Sequence, residues 1–147
     1  MFTAQESIDL NASVDAVFAY MDDPHNHMAV TPRLTDVRDI ERLDNGGKRL
    51  AYTYRIAGLG FDGELVQTVH EPPTRMVFEM HGRLSGRITL AFDADGDGTR
   101  LTYGAEYDLP ENALTTIGSP VVRRANERQL RTTLENVAAR FASGDTE

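Results

Sequence analysis

Polar and apolar positions alternate from residue 2 to residue 10, with Phe2, Ala4, Ile8 and Leu10 on one face, and this period of two predicts a strand. At Ser13 the period changes. Val14, Val17, Phe18 and Met21 fall at helical spacing, behind a good N-cap in Ser13 and with Asp15 in the first turn, so a short amphipathic helix is expected. Asp23 followed by Pro24 marks a second helix start, and Pro32 ends it. From Leu34 onward the chain reads as strands punctuated by turns: Asn45–Gly47, Gly58–Gly63, Glu71–Arg75, His81–Gly86 and the "DADGDG" segment from Asp93 to Gly98. Five turns join six strands, and the first strand makes seven. Gly118, Ser119 and Pro120 then give a break and a helix start. Leu130, Leu134, Val137 and Phe141 form the stripe of a long helix expected to end near Gly144, with Arg124, Arg128, Arg131 and Glu135 on its solvated face.

This order has a simple packing solution of the α+β class. A curved, seven-stranded antiparallel sheet wraps its apolar concave face around the C-terminal helix, and the two short helices that follow the first strand close one end. The space between sheet and helix is a pocket. Residues 1–147 are expected to form one domain, long enough to bury about two thirds of its unfolded surface.

The "DADGDG" segment also raises the question of a calcium loop. Asp93, Asp95, Asp97 and Gly98 match the first half of an EF-hand loop, but the twelfth position is Gly104, which offers no oxygen ligand, and both flanks alternate like strands. A hairpin is the expected structure. His25 and His27, with Asp22 and Asp23 nearby, invite a metal reading too. Helical positions two apart point about 200° apart, and the set lacks a recognised ligand spacing, so no metal and no cofactor is expected.

Composition narrows the function classes. No cysteine is present, which excludes a disulfide framework and a thiolate nucleophile. A formal charge of −8 disfavours nucleic acid and anionic membrane surfaces as partners. No apolar run is long enough for membrane insertion and the start lacks a signal-peptide pattern, so a soluble, cytoplasmic protein is expected, as a monomer or weak homodimer. Lys48 is the one lysine against fourteen arginines, a balance that points to a halophilic host or to a GC-rich genome.

In this order, "SIDLNASVDAVFAYMDDP", "VHEPPTRMVFEM" and "DGDGTRLTY" followed by a long helix resemble the START-like or SRPBCC superfamily, in particular its polyketide cyclase/dehydrase branch. The resemblance covers nearly the whole chain. It implies a helix-grip fold of the Bet v 1-like kind, with an internal cavity for lipids, polyketides, quinones or other hydrophobic small molecules. It implies no single reaction.

Strand alternation sorts the side chains. Leu50, Tyr52, Tyr54 and Ile56 share the concave face with Met76, Phe78 and Met80, with Ile88, Leu90 and Phe92, and with Leu101, Tyr103, Ala105, Tyr107 and Leu109. Glu79 and His81 point outward and are poor catalytic candidates. Tyr52, Tyr54, Tyr103 and Tyr107 bring apolar rings with one hydroxyl each, which suits a hydrophobic ligand with a few oxygens and equally suits ordinary packing. Arg123, seven residues before Leu130, falls on the apolar stripe with Asn126 beside it, and Glu6 sits among Ala4, Ile8 and Leu10. Arg123 could hold a ligand carboxylate or enolate with Glu6 as partner or base; snorkelling to solvent, and a local twist at Glu6, are the alternatives. Leu59 and Phe61 are candidates to cover the pocket mouth, while His70 lies on a strand with two partly apolar faces and cannot be assigned to either. Three functions remain open: binding or carriage of a hydrophobic small molecule, a cyclase/dehydratase acting on such a molecule, and an interaction module with a filled cavity.

Overall fold

The structure, a computed structural model, describes residues 1–142; the expected helix end near Gly144 lies outside the described residues. Strand β1 (Phe2–Leu10) is followed by helices α1 (Val14–Asp22) and α2 (Pro24–Val30). Strands β2 (Leu34–Arg42), β3 (Lys48–Ile56), β4 (Leu59–Glu71), β5 (Arg75–Gly82), β6 (Ser85–Asp95) and β7 (Gly98–Asp108) come next. Helices α3 (Glu111–Ile117) and α4 (Ser119–Ala142) complete the described chain. The strands form one antiparallel sheet in the order β1-β7-β6-β5-β4-β3-β2. Six strands follow one another as a meander, and β1 closes onto β7 in unbroken register from Phe2 opposite Tyr107 to Leu10 opposite Thr99.

Local chemistry accounts for the element boundaries. The Ser13 hydroxyl accepts from the Ala16 N–H at 3.2 Å, and the Asp23 carboxylate accepts from the His25 N–H at 2.9 Å with Pro24 at the helix start. Gly96 and Asp97 form the β6–β7 turn, with Asp95 opposite Gly98 and Gly96 at φ 62, so the acidic segment is a tight hairpin. The β3–β4 turn lies slightly earlier than expected. Ile56 pairs with Leu59, and Ala57 and Gly58 take φ values of 51 and 83, the two positive angles of a type I′ turn. Phe61 therefore belongs to β4. It is 1 % exposed, with the Arg83 guanidinium 5.2 Å over its ring, and forms core where a cover for the pocket was expected.

Helix α3 is not expected from the sequence. Its N-cap is Pro110, which offers no side-chain cap bond, and its last turn, Thr115–Ile117, is β-branched. Helix α4 packs across β1 and touches β7, while α1 lies against β6 and β7 and α2 against α4 and β2. The Asn136 amide donates to the Val30 carbonyl at 3.0 Å, pinning the end of α2 to α4. The core fills the concave side of the sheet, with Met76, Leu90, Leu101, Val122 and Val137 fully buried.

Candidate functional site

Between the sheet and α4 the core leaves an apolar cavity of about 40 Å³. Tyr52 and Tyr54 on β3, Leu65 on β4, Met80 on β5, Ile88 on β6 and Tyr103, Ala105 and Tyr107 on β7 form its sheet side. His27, Thr31 and Leu34 close it on the side of α2, and Asn126, Gln129, Leu130 and Thr133 of α4 face the strands. The volume is well below the roughly 300–1,000 Å³ of sites that enclose drug-sized ligands, so a larger guest would have to spread these walls.

The polar atoms on this surface fall into two groups. The His27 Nε2 and the Tyr103 hydroxyl share a hydrogen bond of 2.8 Å, and the imidazole ring stands edge-on to Phe78 and Tyr103. Burial lowers the His27 pKa to about 4, which keeps the imidazole neutral. The Tyr52 and Tyr107 hydroxyls, the Asn126 Oδ1 and the Gln129 Nε2 are buried with no protein hydrogen-bond partner. The Asn126 Nδ2 donates to the Ala105 carbonyl at 3.4 Å, which aims the free oxygen elsewhere. Burial raises the pKa of all four inner tyrosines. Tyr107 is pushed up to about 12, by burial above all. All four phenols are protonated donors at neutral pH.

The sequence-based candidates divide as follows. Tyr52, Tyr54, Met80, Tyr103, Tyr107 and Asn126 line the cavity. Phe78 and Leu90 are buried in the adjoining core, and Phe78 borders a second, smaller cleft with His27, Asp22, Lys48 and Gln67. Arg123 is exposed and outside the cavity lining, a correction to its expected place on the apolar stripe. The buried positions of α4 are Val122, Asn126, Gln129, Leu130, Thr133, Leu134, Val137 and Phe141, a path that drifts around the helix, so seven-residue spacing from Leu130 lands off it. Glu6 is also corrected. It is half-buried on the face that α4 covers, but α4 fills the space over β1 and no β1 residue reaches the cavity.

Six lining residues escape the sequence reading: His27, Thr31, Leu34, Leu65, Gln129 and Thr133. His27 enters it only as a metal candidate, although Pro24, His27 and Val30 repeat at one-turn spacing; His25 points away and is exposed. Gln129 and Thr133 escape because polar residues interrupt an apolar stripe; with Asn126 they mark one line of α4 at helical spacing. Among the described residues no cluster of His, Asp and Glu could hold a metal ion. His70, unassigned from the sequence, turns away from the cavity. Its Nε2 meets both Asp22 carboxylate oxygens at 3.1 and 3.0 Å, its ring edge packs on Phe18, and Lys48 donates to the Asp22 carbonyl at 3.1 Å.

A curved antiparallel sheet gripping a long helix around an apolar, hydroxyl-bearing cavity defines a helix-grip protein. The sequence matches the family described as "Polyketide cyclase / dehydrase and lipid transport" over residues 1–142, and the chain belongs to that family. Its structure is similar to that of a protein from Thermus thermophilus (TM-score 0.82, 14% identity, 97% of this chain and 98% of that one). It is also similar to a START superfamily protein of Mycobacterium smegmatis (TM-score 0.76, 13% identity, 97% and 99%). The di-domain ARO/CYC protein StfQ of the steffimycin biosynthetic pathway matches too, with TM-score 0.75, 16% identity and 97% of this chain, over 51% of that longer chain. At these identities the likeness is one of fold. Comparison with curated protein sequences returns no match. Among the described residues no helix is long and apolar enough to cross a membrane.

Proposed function

We propose that the protein binds a small, mostly apolar molecule bearing a few oxygen atoms, and that it does so in the cavity between the sheet and α4. The observation that carries this is the set of unpartnered polar atoms on an otherwise apolar wall: the Tyr52 and Tyr107 hydroxyls, the Gln129 Nε2 and the Asn126 Oδ1. A buried donor without an acceptor costs about 1–3 kcal/mol, and a ligand carbonyl or hydroxyl placed among these atoms recovers it. A module with a filled cavity gains nothing from such a wall. The family's printed description, which includes lipid transport, agrees with a carrier or sequestering role. The reading extends to a cytoplasmic monomer or weak homodimer in a salt-rich host, in keeping with the formal charge of −8.

A second reading is favoured by one feature. The neutral His27 imidazole and the Tyr103 hydroxyl form an acid–base pair inside the cavity, the arrangement that a cyclase or dehydratase needs to move a proton on a bound polyketone. Native mass spectrometry after incubation with lipid and polyketide extracts separates the two. A discrete added mass that persists unchanged supports binding. A ligand that leaves altered by loss of water, with wild-type but not His27→Gln protein, supports catalysis. A clean apo mass with every extract overturns both.

A further inference from the structure

On the surface beside the cavity, Arg33, Arg124 and Arg128 surround an open depression whose apolar parts are Ala57, Val121 and Ala125. Three features set it apart. The chain carries a formal charge of −8, yet this depression gathers three guanidinium groups, and none of them has a carboxylate partner among the described residues. Val121 in its floor is 44% exposed, an apolar side chain left open at the start of α4. The same segments build both hollows: Arg33 precedes Leu34, Ala125 precedes Asn126 and Arg128 precedes Gln129, with the second residue of each pair lining the cavity.

We propose that this depression is a site for the anionic end of an amphiphilic ligand, a carboxylate, sulfonate or phosphate, whose apolar body occupies the cavity. The inference rests on the cavity reading above and narrows it, since the ligand would be charged at one end and apolar with few oxygens at the other. Guanidinium groups suit the role because their planar N–H forks pair with oxyanions and need little dehydration to do so. The positive charge of Arg33 works against the burial that raises the Tyr54 and Tyr107 phenols, so the field of the depression is felt on the wall inside. Ala57, Val121 and Ala125 give the first methylenes next to the head group an apolar surface to cover. Like charges held together without partners also repel one another, and an oxyanion among them relieves that strain.

Two dyes with the same ring body test the proposal: 1-anilinonaphthalene-8-sulfonate carries a charge, and N-phenyl-1-naphthylamine does not. The sulfonate is expected to bind about tenfold tighter at low salt, with the difference shrinking as sodium chloride is added. An Arg124→Gln/Arg128→Gln double variant is expected to erase that difference while binding the neutral dye as wild type does. A preference for the sulfonate that survives in the double variant overturns the site. If the neutral dye binds neither protein, the cavity reading is the part that fails, and the arginine site is then judged by inorganic phosphate alone. Amide shifts on phosphate addition confined to Arg33 and the stretch from Val121 to Arg128 support it, and no shifts there overturn it.

Discussion

The imidazole Nε2 of His27 and the hydroxyl of Tyr103 lie 2.8 Å apart in the interior, joining helix α2 to strand β7 across the cavity. Both groups are buried, so the pair is at once a structural tie and a place in the core where a proton could change hands.

Stability should fall as the solution is acidified. The His27 pKa is held at about 4 in the folded protein against 6.5 for the free side chain, so between these values the unfolded chain binds the extra proton. The stabilisation is fully present above pH 6.5 and is lost as pH falls toward 4, a change of roughly 3 kcal/mol. Urea titrations at pH 7.5 and pH 4.5, run on wild type and His27→Gln, check this. A wild-type decline no steeper than the variant's would refute it.

Conservative changes at the tyrosines should have opposite effects. Tyr103→Phe leaves the His27 Nε2 without a partner, which is expected to cost about 1–3 kcal/mol. Tyr52→Phe and Tyr107→Phe each remove a buried hydroxyl that already lacks a protein partner, so they should leave the ligand-free protein unchanged or raise its melting temperature. In both of the latter variants, binding of an oxygen-bearing ligand should weaken while the apo protein holds. Thermal melts of the three variants, with and without ligand, separate the two cases.

Asp22 anchors α1 to the sheet through His70 and Lys48, with the His70 side chain only 11% exposed. Asp22→Ala should therefore destabilise by about 1–2 kcal/mol, and a double-mutant cycle with His70→Ala should show positive coupling. Strict additivity would mean that the contact contributes nothing.

Gly86→Ala should be among the most damaging single-methyl changes. An added Cβ at Gly86 would lie 2.6 Å from the Tyr107 Cα and overlap the Glu106 carbonyl, forcing β6 away from β7. A loss of about 2 kcal/mol or more is expected in denaturant titrations. Tyr107 should shift with the strand, so ligand binding should drop in the same variant.

Much of the fold is legible in the sequence because its signals are local. The alternation of β3 and β7, the caps at Ser13 and Asp23, and the Gly-rich turns each act within a few residues. Helix α3 is hidden because Pro110 caps it without a side-chain bond and Thr115, Thr116 and Ile117 favour extended backbone, so tertiary packing decides it. The site is legible only on its sheet side, where period-two alternation puts Tyr52, Tyr54, Tyr103 and Tyr107 inward. On α4 the wall is Asn126, Gln129 and Thr133, whose polar character conceals their burial, and Arg123 shows how a drifting contact line defeats a fixed repeat. His27 carries a usable signal in its one-turn spacing from Val30, obscured by its proximity to His25.

The closure of β1 onto β7 also sets a temporal order. During synthesis the strand from Phe2 to Leu10 is made ahead of the rest of this domain, yet its hydrogen-bonding partner β7 and the covering helix α4 follow some ninety residues or more later in the chain. Such long-range pairing is slow to form, and until it does the nascent chain presents an open strand edge that can pair with another molecule. The α4 wall of the cavity is thus supplied only after all seven strands have been made, so a ligand already present in solution meets the open sheet before that wall closes over it.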